Sequence, residues 1–252
     1  MLQAIVFDLG GTLIDYAGGY DLWPDMEGPG LAAAYAVLHE KPLRLPAMET
    51  FRRIGYNMLP DRWQQATLGQ RNLTVQDLIQ EIVTYLRING VKPEWVAEAA
   101  EAYEKYSSGR TTPMPHAQTV LADLKAQGYK LGLISNTMFR GRAHLEDLTR
   151  FGLHTYFDAL LFSADVNLWK PRAETFHHIL NELDIPAQQS VFVGDDPASD
   201  VVGGRNAGMF TVYYQSNSRF STPDGVVPHA TITGLEQLPA SLAYLIHAQQ
   251  PG

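Results

Sequence analysis

Leu2-Gln3-Ala4-Ile5-Val6-Phe7-Asp8-Leu9-Gly10-Gly11-Thr12 is a short, nearly continuous apolar run that stops at an aspartate and a glycine pair. Successive side chains of a strand point to opposite faces, so a run without polar alternation suits a strand covered on both sides. Similar runs recur at residues 130–134, 159–162, 191–193 and 211–214, each followed by helical spacing. Val120, Leu121 and Leu124 form one helical stripe ended by Gly128, and Phe176, Ile179, Leu180 and Leu183 form another. A third helix is expected between Pro197 and Ala207, stopped by Gly208. This βα alternation predicts an α/β fold with a doubly wound parallel sheet.

Residues from about 16 to 112 break the alternation. Leu78, Ile79, Ile82, Val83 and Leu86 fall at helical spacing, and Thr74 with Asp77 makes a capping-box-like start. Pro93 suits the first turn of a further helix through Val96, Ala99, Ala100 and Tyr103. The expectation is a separate helical unit hinged at Gly18, Gly19 and residues 109–115. Its Trp23, Trp63 and Trp95 belong either to its core or to a substrate-facing surface.

A chain of 252 residues, 45% hydrophobic and 18% charged, suits one core with a sizeable insertion and excludes disorder. Lys and Arg number 19 against 27 Asp and Glu, a formal charge of −8, with no basic run to track a phosphate backbone. Nucleic acid is therefore not an expected partner. Cysteine is absent, which excludes disulfides, thiolate nucleophiles and Cys-based zinc sites. The first residues carry no basic leader pattern, and no apolar stretch reaches the roughly eighteen residues of a membrane span, so a soluble cytoplasmic protein is expected.

In open α/β sheets ligands bind outside the carboxyl ends of the strands, so the residues that follow each run carry the candidate chemistry. The first run ends in Phe7-Asp8-Leu9-Gly10-Gly11-Thr12, the second in Ile134-Ser135-Asn136-Thr137, the fourth in Val193-Gly194-Asp195-Asp196. Trp169-Lys170-Pro171 opens the helix after the third. Singly these are ordinary cap, turn or solvated residues. In this order they supply a carboxylate, a hydroxyl with backbone amides, a cation and an acidic pair. A carboxylate is ionised at neutral pH and can attack phosphorus without a base.

On these motifs the chain resembles the haloacid dehalogenase superfamily, whose four motifs match residues 8–12, Ser135 with Asn136, Lys170, and residues 194–200. The resemblance implies a Rossmann-like core, residues 1–15 and 113–252, beneath a helical cap over 16–112, with residues 230–232 and the helix after Leu235 as the closing segment. It implies that Asp8 and Lys170 are catalytic, and that Asp8, the backbone carbonyl of Gly10 and Asp195 hold Mg2+, an oxygen-only set suited to that cation. Thr12, Ser135, Asn136 and Lys170 would meet the phosphoryl group. Asp196 and Asp200 would lie behind the metal ligands, with Asp200 orienting Lys170 or the metal's surroundings. The implied activity is a Mg2+-dependent phosphatase or phosphotransferase acting on a small phosphorylated metabolite through an aspartyl-phosphate on Asp8.

The superfamily's phosphatases usually carry a second Asp two residues after the nucleophile, as acid for the leaving group and then base for water; here that position is Gly10. Such proton transfer is worth ~10²–10⁴ in rate. Its loss weighs most on esters with basic alkoxide leaving groups and least on acyl or aryl phosphates. A tight turn needing positive φ would by itself favour two glycines. Asp15, Asp196 and His116 are conceivable substitute acids. Two alternatives follow: a non-catalytic binding module of the same fold, and a metal-independent 2-haloacid dehalogenase.

Overall fold

The computed structural model describes residues 2–16, 27–108, 110–215, 220 and 222–248. Its strands are β1 (Ala4–Phe7), β2 (Ile14–Tyr16), β3 (Thr111–Pro113), β4 (Lys130–Ser135), β5 (Ala159–Phe162), β6 (Ser190–Gly194), β7 (Phe210–Tyr214) and β8 (Ala230–Ile232). All of β1 is buried, and its side chains divide by alternation: Ile5 and Phe7 enter one apolar cluster, Ala4 and Val6 another across the sheet. Burial on both faces is why the run carries no polar residue.

Among the described residues the main sheet has six strands in the order β5-β4-β1-β6-β7-β8, every neighbouring pair parallel. The chain winds outward on one side of β1, through β4 and β5, and then returns to β6 on the other. The carboxyl ends of β4, β1 and β6 therefore stand side by side at the reversal, where a doubly wound sheet opens a crevice. The expected α/β doubly wound, Rossmann-like sheet is the one observed.

The helices are α1 (Gly28–His39), α2 (Met48–Thr67), α3 (Val75–Tyr85), α4 (Pro93–Ser108), α5 (Ala117–Ala126), α6 (Gly141–Arg150), α7 (Ser163–Val166), α8 (Ala173–Leu183), α9 (Val202–Asn206) and α10 (Leu238–Ala248). Val120, Leu121 and Leu124 of α5, with Leu242 and Leu245 of α10, cover one face of the sheet. Phe176, Ile179, Leu180 and Leu183 of α8 cover the other. The helix expected over 197–207 is divided: Pro197–Val201 forms a wider π-type turn that runs into α9. The Asp196 side chain accepts the Ala198 N–H at 2.9 Å to start it, and the wide turn places Asp200 inward.

Helices α1 to α4 share an apolar cluster of their own, built on Leu31, Phe51, Leu78, Ile82, Val96 and Tyr103. Met138, Phe139 and Trp169 join that cluster from the sheet side. Thr74 caps α3 as its spacing suggests, accepting the Asp77 N–H at 3.0 Å. The hairpin of β2 and β3, antiparallel with Tyr16 opposite Thr111, is not foreseen in the sequence because three-residue strands leave too short a pattern. It joins the two ends of the helical insert. Gly18, Gly19, Trp23 and Gly109 lie outside the described residues. Among the described residues no helix is long and apolar enough to cross a membrane.

Candidate active site

Asp8 follows β1, Ser135 ends β4, and Asp195 follows β6, so the strand order alone brings them to one edge. The Asp8 N–H donates to the Val193 carbonyl at 2.9 Å, which ties the end of β1 to β6. Lys170 arrives from the segment between α7 and α8 and is 2% exposed. Its ammonium donates to Asp8 Oδ1 at 2.6 Å and to Asp200 Oδ1 at 2.7 Å, and lies 5.1 Å from the centre of the Phe192 ring. Asn136 brackets the backbone of this lysine: its Oδ1 accepts the Lys170 N–H at 2.8 Å, and its Nδ2 donates to the Lys170 carbonyl at 2.9 Å. The side chain of Asn136 is thereby committed to the lysine, and its backbone is what remains to meet an anion.

Thr12 departs from the expected contact with substrate. It is fully buried and outside the cavity lining, and its hydroxyl points to Asp195 Oδ1 at 3.4 Å, where it can steady the carboxylate. Asp200 accepts the Asp196 N–H on Oδ2 at 3.0 Å as well as the lysine on Oδ1, and its own N–H donates to the Asp196 carbonyl at 2.8 Å. Gly194 makes this possible, because a Cβ there would overlap the Asp200 carboxyl.

One carboxylate oxygen from each of Asp8, Asp195 and Asp200 lies within 4.8 Å of the others, and all three residues are buried. Burial first, and then the charges of Asp8 and Asp200, push the Asp195 carboxyl well above its ordinary value. Burial likewise pushes Asp200 up to about 7, with Lys170 opposing and Asp8 and Asp196 adding. Burial alone would lower the Lys170 ammonium, but the carboxylates of Asp200 and Asp8 outweigh it and hold it above the usual lysine value. One ammonium faces three crowded carboxylates. An all-oxygen set short of positive charge fits a hard divalent cation.

These residues open onto a cavity of about 500 Å³. Asp8, Gly10, Ser135, Asn136, Lys170 and Asp195 line it from the sheet edge. Glu27, Trp63, Tyr106 and Arg110 line it from the insert side; Trp63 is one of the tryptophans singled out in the sequence, whereas Glu27, Tyr106 and Arg110 belong to no motif and carry no sequence signal. Glu27 is 8% exposed and accepts the Tyr103 hydroxyl at 2.7 Å. Trp63 is thus a cavity residue, its ring edge-on to Trp169 at 5.1 Å and 83°, while Trp95 packs against the insert's apolar cluster. Of the conceivable substitute acids, Asp196 lines the cavity, whereas Asp15 and His116 do not.

Behind the wall, His144 is 1% exposed and stacked between Phe139 and Phe162, with centroids 5.7 and 5.2 Å away. Its Nε2 pairs with Thr137 Oγ1 at 2.8 Å and its Nδ1 with Tyr16 Oη at 3.4 Å. Burial lowers its pKa to about 4. A histidine depressed from about 6.5 binds its proton more tightly in the unfolded chain. Its contribution is therefore present above pH 6.5 and lost as pH falls toward 4, in total about 3 kcal/mol. Urea unfolding of the wild type between pH 7 and 4 should show this loss, and His144→Gln should show a shallower pH dependence over the same window. Parallel curves for the two proteins would remove the assignment.

A lysine and buried carboxylates gathered at the switch point of a doubly wound parallel sheet form a charged site where such folds bind their ligands. Residues 2–208 match the haloacid dehalogenase-like hydrolase family, and the chain belongs to it. It is 27% identical over 216 residues to the glyceraldehyde 3-phosphate phosphatase of Methanothermobacter thermautotrophicus, covering 86% of this chain and 87% of that protein. It is 28% identical over 212 residues to the phosphoglycolate phosphatase of Psychrobacter arcticus, covering 83% and 82%. Among solved structures, the 2-haloacid dehalogenase of Pseudomonas syringae pv. Tomato superposes with a TM-score of 0.68 at 25% identity, covering 97% of this chain and 100% of that one.

Proposed function

We propose that the chain is a Mg2+-dependent phosphomonoesterase acting on a small phosphorylated metabolite in the cytoplasm, with residues 16–112 as a cap over a core of 1–15 and 113–252. The observation that carries the reading is Lys170 held at 2.6 Å from Asp8 and 2.7 Å from Asp200 beside Asp195, in the wall of a cavity that Ser135 and Asn136 also line. The phosphatase relatives from Methanothermobacter and Psychrobacter, which span more than four-fifths of this chain, support it.

Asp8 attacks phosphorus with one carboxylate oxygen, and the other stays paired with Lys170. Lys170 offsets charge on the attacking carboxylate and on the transferring group, held at its height by Asp200 and by the Asn136 bracket. Ser135 and the Asn136 backbone N–H hold phosphoryl oxygens, and Thr12 steadies Asp195. Asp8, the Gly10 carbonyl and Asp195 would hold the cation, which supplies charge neutralisation on the phosphoryl oxygens. Water then releases phosphate from Asp8 and regenerates the carboxylate. Positioning and electrostatics carry such a transfer.

The test is hydrolysis of p-nitrophenyl phosphate with Mg2+, with EDTA, and in Asp195→Asn. Chelation should abolish turnover, and Asp195→Asn should lower kcat/KM by at least ~10²-fold. Full activity in either case overturns the reading. Silence with every divalent metal favours a binding module, and metal-independent halide release from 2-chloropropionate favours the dehalogenase chemistry of the Pseudomonas neighbour.

A further inference from the structure

We propose that the substrate is a phosphomonoester of an aromatic alcohol, with the scissile oxygen on a planar ring, in preference to the aliphatic phosphates that name the curated phosphatase relatives. The inference rests on the phosphatase reading above and deepens it. Two independent features point the same way.

The first is the wall of the cavity. Tyr16, Trp63, Tyr106, Phe139 and Phe220 line the same space as Asp8 and Lys170. Several of these rings are held in place: Trp63 is edge-on to Trp169 at 5.1 Å, and Arg110 lies 5.5 Å over the Tyr106 ring and donates to its hydroxyl at 3.1 Å. Phe139 stacks on the buried His144 at 5.7 Å. Fixed aromatic faces and edges reward a flat apolar partner beyond the area it buries. A three-carbon polyol or a glycolate offers no flat face for those rings to meet. The volume of about 500 Å³ accommodates a ring beyond the phosphoryl group.

The second is Gly10. Gly11 carries a φ of 84° and needs to be glycine, but Gly10 is outside the left-handed region, so the turn itself does not forbid a side chain there. The carboxylates that line the cavity besides Asp8 are engaged as hydrogen-bond acceptors. Asp195 accepts from Thr12, Asp196 from the Ala198 N–H, Asp200 from Lys170, and Glu27 from Tyr103. A site without a carboxylic acid at position 10 discriminates by the basicity of the leaving oxygen. A phenol has a pKa near 10, whereas alkoxides approach the ~15.7 of water. A phenolate can depart without being handed a proton; an alkoxide cannot do so at a useful rate.

The step balances on that basis. The bond from Asp8 Oδ to phosphorus forms as the bond from phosphorus to the aryl oxygen breaks. The electron pair leaves on that oxygen as phenolate, which takes its proton from solvent. Water then adds to phosphorus, the bond to Asp8 breaks with its electrons returning to the carboxylate, and the protons of the water pass to phosphate and solvent.

The experiment measures kcat/KM of the full chain with Mg2+ on p-nitrophenyl, phenyl and p-methylphenyl phosphates, and on β-glycerol phosphate and phosphoglycolate, in the wild type, Gly10→Asp and Trp63→Ala. Phenyl phosphate should exceed both alkyl esters by at least ~10²-fold, with a steep fall along the aryl series as the leaving oxygen grows more basic. Gly10→Asp should narrow the gap about tenfold or more. Trp63→Ala should raise KM for phenyl phosphate while inhibition by inorganic phosphate is unchanged. Alkyl esters turned over as fast as phenyl phosphate, or an unaltered KM in Trp63→Ala, overturn the inference and leave the phosphatase reading standing. Absence of turnover on every ester overturns both.

Discussion

Asp8→Asn is expected to lower turnover of p-nitrophenyl phosphate by about 10⁴-fold or more while leaving the protein folded, a loss typical of removing the group that forms the covalent intermediate. The amide has nearly the same shape and can still accept from Lys170, so the Asp8–Lys170 contact at 2.6 Å can survive as a neutral–charged hydrogen bond. What disappears is the negative oxygen that attacks phosphorus. The same change relieves crowding, because Asp8 is the first charge after burial that pushes up Asp195. The metal-free variant should therefore be at least as stable as the wild type. Steady-state kinetics with thermal unfolding in EDTA checks both halves. Activity within tenfold of wild type would assign the attack to water instead.

Lys170→Met is expected to be the most damaging single change at the site, destabilising the fold by about 3–5 kcal/mol as well as abolishing turnover. Methionine fills much of the lysine stem's volume, so the loss is of charge more than of packing. It leaves the buried carboxylates of Asp8, Asp195 and Asp200, each with one oxygen within 4.8 Å of the others, with no ammonium between them. They can be neutralised only by protonation, and Asp200 is already pushed up to about 7 with the lysine in place. The sign follows. A carboxyl raised in the folded state binds more protons there than in the unfolded chain, so stability falls as pH rises through the window above 3.8. Removing the cation extends that window upward, beyond 7. Urea unfolding in EDTA should show a larger deficit at pH 8 than at pH 6. A deficit that is small and independent of pH would mean that the cluster is wetter than its burial indicates.

The sequence read alone was sufficient for the parallel strands and for the residues that end them. Apolar runs such as Ala4–Phe7 advertise burial on both faces, and Asp8, Ser135 and Asp195 are conspicuous because each ends such a run. Capping chemistry is equally local, as Thr74 and Asp77 show. The short β2–β3 hairpin and the wide turn at Pro197–Val201 escape that reading. One is too brief to carry a pattern, and the other turns Asp200 toward Lys170, a partner 30 residues away in the chain that no local pattern announces.

The chain by itself thus determined the sheet, the order of the motifs and the kind of chemistry their side chains can perform. Tertiary structure decided which atoms meet. Lys170 and Asp8 are 162 residues apart and come together only because the chain reverses its winding at β1. Thr12 reads as a substrate contact in its motif but turns to Asp195, and Asn136 spends its side chain on the lysine backbone. The aromatic wall of Trp63, Tyr106 and Phe139 is assembled from separate elements that no single stretch of sequence relates. The physical reason is one of range. Side-chain alternation and caps act over a few residues and are written locally, whereas a cavity is defined by packing between elements whose relative placement only the completed core fixes.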